Sequence, residues 1–141
     1  MIKIESKIGE IKSSDETVYN FLSRFDNFQK FIPEDKIQNW EASEDRCHFT
    51  IEGIGETGMK IIEKEPFKLV KITGEDSSKI DFNFWIQLKQ VAENDTRIKL
   101  TIKANINPLF QGVVKKPLQN FVDTLVEHLE KLDFSSVSRE K

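Results

Sequence analysis

The sequence predicts an α+β fold: an antiparallel curved sheet of about seven strands wrapped on a long C-terminal helix, with two short helices between the first strand and the second. Three observations predict it. From 107 to 132 the apolar residues Phe110, Val114, Leu118, Phe121, Leu125, Leu129 and Leu132 recur at helical spacing. From about 37 to 106 the apolar period is two instead, in six segments separated by short turns. Ahead of these lie one alternating segment and two short helical ones.

Residues 2–12 alternate, with Ile2, Ile4 and Ile8 against Lys3, Glu5 and Lys7, which reads as one half-buried strand. Ser13 and Glu16 form a capping box, so a helix is expected to begin there, burying Val18, Phe21, Leu22 and Phe25. Asp26 is expected to cap a second short helix carrying Phe28, Phe31 and Ile32, which Pro33 ends.

Strands are expected at 37–43, 46–53, 57–65, 68–74, 79–91 and 96–106. Turn residues part them: Ser43 to Asp45, Gly53 to Gly58, Glu65-Pro66, Gly74 to Ser78, and Glu93 to Asp95. Connections this short favour antiparallel neighbours. The last two strands have the clearest faces. Phe82, Phe84, Ile86 and Leu88 alternate with Asp81, Asn83, Gln87 and Lys89, while Ile98, Leu100, Ile102 and Ala104 alternate with Arg97, Lys99, Thr101 and Lys103. Such a sheet is covered on one side only.

The C-terminal helix is amphipathic after Pro117 and apolar nearly all round before it, at Leu109, Phe110, Val113 and Val114. Pro117 has no hydrogen for the Val113 carbonyl, so a bend is expected, with the first turns helping to form one end of a cavity. Residues 1–133 are read as a single domain and 134–141 as a polar, frayed tail.

A chain of 141 residues buries roughly two thirds of its unfolded surface, enough for a core without staples. Eleven Phe against one Tyr and two Trp fill space without bringing polar atoms inward. A net charge of −3 with both signs interspersed argues against nucleic acid as a partner. A lone cysteine, Cys47, makes no internal disulfide and points to a reducing compartment. No window approaches a membrane span, so a cytoplasmic protein without stable membrane insertion is expected, as a monomer or weak homodimer.

Chemistry-bearing residues are sparse. The string Gly53-Ile54-Gly55-Glu56-Thr57-Gly58 has dinucleotide-loop spacing, but that loop needs a helix after it, and Met59 to Lys64 reads as a strand. A glycine-rich hairpin is the better reading. His48 shares the wet face of its strand, and His128 sits beside the buried stripe as a hydrogen-bonded rim residue. Two distant histidines and one cysteine make no metal site. Cys47 reads as a small buried apolar residue. Glu63 shares parity with Met59 and Ile61; inside a cavity it would be an acid or base, and at a strand end it would reach water. Trp40 and Trp85 are ambiguous in facing; Trp85 opposes Phe84 and Ile86, which leaves the outer face open to it.

Several segments together resemble a known superfamily. They are Ser13-Ser14-Asp15-Glu16-Thr17-Val18-Tyr19-Asn20-Phe21-Leu22, Phe25-Asp26-Asn27-Phe28, Ile51-Glu52-Gly53-Ile54-Gly55 with Met59-Lys60-Ile61, Glu65-Pro66-Phe67-Lys68-Leu69-Val70, and Lys115-Lys116-Pro117-Leu118 with Phe121-Val122. With the element order, they resemble the START-like or SRPBCC (polyketide cyclase/dehydrase-like) superfamily and its helix-grip fold, over about residues 2–132. The resemblance implies a cavity between sheet and C-terminal helix, in which members take lipids, sterols, polyketides or plant hormones. Some members are cyclases or dehydratases, and the chaperone-activator branch acts on other proteins. It implies no shared catalytic residue, and the chain lacks the polar triads of enzymatic members and the iron or iron–sulfur ligands of the ring-hydroxylating branch.

The expected function is therefore binding or transport of a small hydrophobic ligand, with no catalytic residue and no cofactor. Phe49, Ile51, Met59, Ile61, Phe82, Phe84, Ile86, Leu100, Ile102, Phe110, Val114, Phe121 and Leu125 would line the site. The alternatives are a cyclase or dehydratase using the same cavity, and a protein-interaction module with a filled interior.

Overall fold

All the alternating segments become strands of one antiparallel sheet in the computed structural model, which describes residues 1–52, 55–75 and 81–134. In chain order the elements are β1 (Ile2–Glu5), β2 (Gly9–Ile11), α1 (Asp15–Leu22), a 3₁₀ helix (Phe25–Lys30), β3 (Ile37–Ala42), β4 (Arg46–Ile51), β5 (Gly55–Glu65), β6 (Leu69–Gly74), β7 (Asp81–Ala92), β8 (Asp95–Asn105) and α2 (Pro108–Lys131). The sheet runs β1-β8-β7-β6-β5-β4-β3, and β2 also pairs with β8. Chain neighbours are therefore sheet neighbours from β3 to β8, and the N-terminal strands close onto the last strand.

The sheet has eight strands because the expected first strand is broken in two. Ser6 is buried and replaces a ladder residue: its backbone N–H donates to the Leu100 carbonyl at 2.8 Å, and its hydroxyl accepts from the Leu100 N–H at 2.9 Å. Register then slips by one, from Glu5 opposite Thr101 to Gly9 opposite Ile98. A one-residue slip turns every later side chain over. Ile8, expected on the oily face, is consequently 64% exposed, while Gly9 and Ile11 point inward.

Gly9 is where α2 comes closest to the sheet. A Cβ there would lie 2.5 Å from Val126 Cγ1 and 2.9 Å from Ile98 Cγ2. Polar side chains of α2 fasten the same segment: Asp123 accepts from the Lys7 N–H at 2.8 Å, Glu130 from the Glu10 N–H at 2.9 Å, and Gln119 donates to the Glu5 carbonyl at 2.8 Å.

Helix starts differ by a residue from expectation. Ser14, not Ser13, caps α1, its hydroxyl accepting from the Thr17 N–H at 3.2 Å. Ser13 is taken up elsewhere, its carbonyl receiving the Thr96 hydroxyl at 2.7 Å. Asp26 does not cap the 3₁₀ helix, in which Arg24 takes the N-cap position. The Arg24 guanidinium instead grips Asp26 at 2.8 and 3.1 Å and holds its carboxyl below the usual range. Asn107 caps α2, accepting from the Leu109 N–H at 3.0 Å, with Pro108 in the first turn where its missing hydrogen is harmless.

The helix runs unbroken through Pro117, whose turn is exposed. Phe134, expected in the frayed tail, is buried edge-on against Phe21 at 5.3 Å. Residues 135–141 lie outside the described residues. No helix among the described residues is long and apolar enough to cross a membrane.

Candidate functional site

The inner sheet face, α1, the 3₁₀ helix and α2 enclose one apolar cavity of about 80 Å³. Alternation on four strands supplies its wall. Phe49 and Ile51 come from β4, Met59 from β5, Phe82, Phe84 and Ile86 from β7, and Leu100 and Ile102 from β8, all lining it as expected. On α2 the lining begins about two turns after Phe110, where it was expected to start: Leu118, Phe121, Leu125 and Leu129 face inward.

Three expected residues lie elsewhere. Ile61 is half-buried against the core, opposite Ile72, but does not line the cavity. Val114 likewise packs only against the edge of the core. Phe110 is 57% exposed, so the first turns of α2 do not form one end of the cavity.

The other wall comes from residues that were not expected to line the site. Leu22 of α1, Phe28 of the 3₁₀ helix, Phe31 and Ile32 just after it, and Ile37 and Trp40 of β3 also line the cavity. Ile72, Ala104 and Thr57 complete the lining. Their rings form a connected group: Phe28 stacks on Trp40 at 6.3 Å with 9° between planes, Phe28 meets Phe31 at 4.9 Å, and Trp40 meets Phe49 at 5.2 Å.

A backbone detail turns Trp40 inward. Asn39 adopts φ 56°, and the β3–β4 register shifts by one residue between Gln38 and Glu41. Without that bulge Trp40 would oppose Ile37; with it, both line the cavity. The only signal in the sequence was the residue type, since asparagine tolerates left-handed backbone better than most.

The lining offers almost no chemistry. Among the described residues Thr57 contributes the one hydroxyl, set 3.5 Å from the Gly55 carbonyl. No carboxylate, histidine, lysine or arginine of the described residues lines it. Glu63, which shared parity with the wall, is carried out to solvent beyond the β5 bulge that follows Ile61. His128 borders the site instead: its Nδ1–H donates to the Phe31 carbonyl at 2.7 Å, tying the segment after the 3₁₀ helix to the last turns of α2. His48 is exposed. Cys47 is buried, and burial pushes its thiol well above its ordinary range, so it is not an activated nucleophile. Among the described residues no group of three or more potential ligands could hold a metal ion.

Gly55 opens β5 with φ 115°, and the strand runs to Glu65, so no helix follows the glycine string as a dinucleotide loop requires. Gly53 and Ile54, and the turn residues 76–80, lie outside the described residues. On the outer face Trp85 is half-buried between lysines of the flanking strands, with Lys71 Nζ 5.5 Å and Lys103 Nζ 5.7 Å from its ring centre.

No family model and no curated protein matches this sequence. Solved structures do match the fold. A START superfamily protein from Mycobacterium smegmatis, 12% identical, aligns with a TM-score of 0.73 over 99% of both chains. This chain has the START-like helix-grip fold. The START-like likeness extends to a point mutant of Thalictrum norcoclaurine synthase in complex with a transition-state analogue, at 13% identity and a TM-score of 0.73 over 99% of this chain and 96% of that one. It extends also to the di-domain ARO/CYC protein BexL of the BE-7585A biosynthetic pathway, at 11% identity and a TM-score of 0.71. That match takes in 93% of this chain and 46% of BexL. Identities this low speak for the START-like architecture alone.

Proposed function

We propose that this protein binds a small apolar molecule in the cavity between the sheet, the aromatic cluster and α2. The observation that carries the reading is the lining itself: a space walled by aliphatic and aromatic side chains, with Thr57 as its single hydroxyl among the described residues. Burial of apolar surface at about 25 cal/mol per Å² would drive binding, with little polar anchoring.

Size limits the guest. At about 80 Å³ the cavity is smaller than the roughly 150 Å³ that admits benzene in an engineered core, and far below the roughly 300–1,000 Å³ of drug-sized pockets. A lipid or polyketide would fit only if the Phe28–Phe31–Trp40 side moved outward. That side hangs on a short 3₁₀ helix and on the His128 hydrogen bond, whereas the opposite wall is a fully paired sheet. The cyclase or dehydratase alternative needs an acid or base at the guest, and none lines the cavity among the described residues.

Native mass spectrometry of the purified protein, joined to thermal shifts with xenon and benzene, tests the proposal. A co-purified apolar molecule, or a saturable rise in Tm that Leu125→Phe abolishes, is expected. If neither probe raises Tm and no apolar molecule co-purifies, the interior is structural filling and the binding role falls.

A further inference from the structure

The first two turns of α2 stand clear of the rest of the protein. From 107 to 117 only Gln111 and Val114 are even half-buried. Leu109 is 82% exposed, Phe110 57% and Val113 71%. A Cβ built on Gly112 meets nothing within 4 Å. At 100° per residue these three apolar side chains share one lateral face of the helix. Further along, that same face carries Asn120, Thr124, Glu127 and Lys131, as a face turned to water should. The apolar stretch is therefore confined to the projecting tip.

Charge is equally local. Lys115 and Lys116 follow directly, and no acidic residue occurs between 107 and 122. Lys3 and Lys103 pair on the outer face of β1 and β8 at this same end of the sheet. Among the described residues the carboxylates toward that end include Glu5, ion-paired with Lys3 at 3.6 Å, Asp81, opposite Asn105 of β8, and Glu52, Glu56 and Glu75 at the ends of β4 to β6. The start of α2 is thus apolar at its tip, with Lys115 and Lys116 directly beside it.

We propose that this tip docks the protein reversibly on anionic lipid bilayers. Leu109, Phe110 and Val113 would enter the boundary between headgroups and acyl chains, and Lys115 and Lys116 would meet the headgroup charge. A second copy of the chain is a poorer occupant, since a standard protein interface takes roughly 20–30 residues a side and this patch has three apolar ones at its centre. A projecting tip also suits a fluid surface better than a flat partner. Docking there would bring Leu118 and Phe121, one and two turns along the same helix and part of the cavity wall, close to the bilayer.

Flotation of the full chain with phosphatidylcholine vesicles, with and without phosphatidylglycerol, tests this. The protein should float with the mixed vesicles and far less with phosphatidylcholine alone. The combined Leu109→Glu, Phe110→Glu, Val113→Glu variant should lose roughly tenfold or more of that binding. Lys115→Gln and Lys116→Gln should each lose about fivefold, on the mixed vesicles only. Because these side chains are exposed, circular dichroism and Tm should match the parent protein. Absence of flotation in the parent, or unchanged flotation in the triple variant, overturns the proposal. So does a parent dimer that the triple variant dissolves, which would assign the patch to a second copy. Xenon binding or a co-purified apolar molecule reads the cavity and flotation reads the tip, so either role can fail without the other.

Discussion

Asn39 decides which way a tryptophan faces. Its left-handed backbone costs an asparagine little, whereas a β-branched residue in that region is disfavoured by about 1–2 kcal/mol. Asn39→Gly should leave stability nearly unchanged. Asn39→Val should either lose that energy or straighten β3 and expel Trp40 from the cavity. Fluorescence in a Trp85→Phe background separates these, because only Trp40 then emits; a red-shifted maximum in the valine variant is the expected result. Phe67 is a second left-handed residue, at φ 69° in the turn after Pro66, held where its ring meets Tyr19 edge-on at 5.8 Å. Nothing in its residue type announces that conformation, since phenylalanine rarely takes it.

The elements themselves were largely legible. Strict alternation in β7 and β8 fixed their inner faces, and of the residues it selected all but Leu88 and Ile98 lie against the cavity, because a long regular strand leaves its side chains no other choice. Where a ladder breaks, the periodic reading fails for a definite cause. Ser6 replaced a backbone partner and inverted Ile8, Ile62 bulged out of β5, and Asn39 turned Trp40. The aromatic side of the cavity was missed because a 3₁₀ helix and the segment after it have no period long enough to assign a face. Exposure at the tip of α2 was hidden too, since Phe110 and Val114 continue the same stripe that is buried from Leu118 onward. Packing between elements carries its own prediction. Gly9→Ala would drive a methyl group into Val126, which is fully buried and has nowhere to move. A loss of about 1–3 kcal/mol is expected by urea denaturation, although Gly9 needs no unusual backbone angle.

At the scale of the whole molecule, the cavity is a shortfall of packing between two otherwise close-packed layers. Enlarging it should weaken the fold while widening the choice of guest. Leu125→Ala removes a buried side chain of α2 from the wall and should lower stability by about 2–5 kcal/mol, within the roughly 5–15 kcal/mol that a domain commonly has. Benzene should recover part of that loss, with a larger rise in Tm for the variant than for the parent protein. An equal or smaller rise would mean that the wall collapses into the gap.

The pairing of β1 and β2 with β8 joins residues nearly a hundred positions apart, and α2 can settle only over that seam. On a ribosome, the inner faces of β3 to β7 are therefore finished with only α1 and the 3₁₀ helix available to cover them. Closure must wait for the last strand and the helix that follows it, so folding is set by late, distant contacts rather than by local ones. A nascent chain halted before β8 would expose the oily face of an unclosed sheet, and holdase chaperones would recognise that intermediate far better than the finished protein.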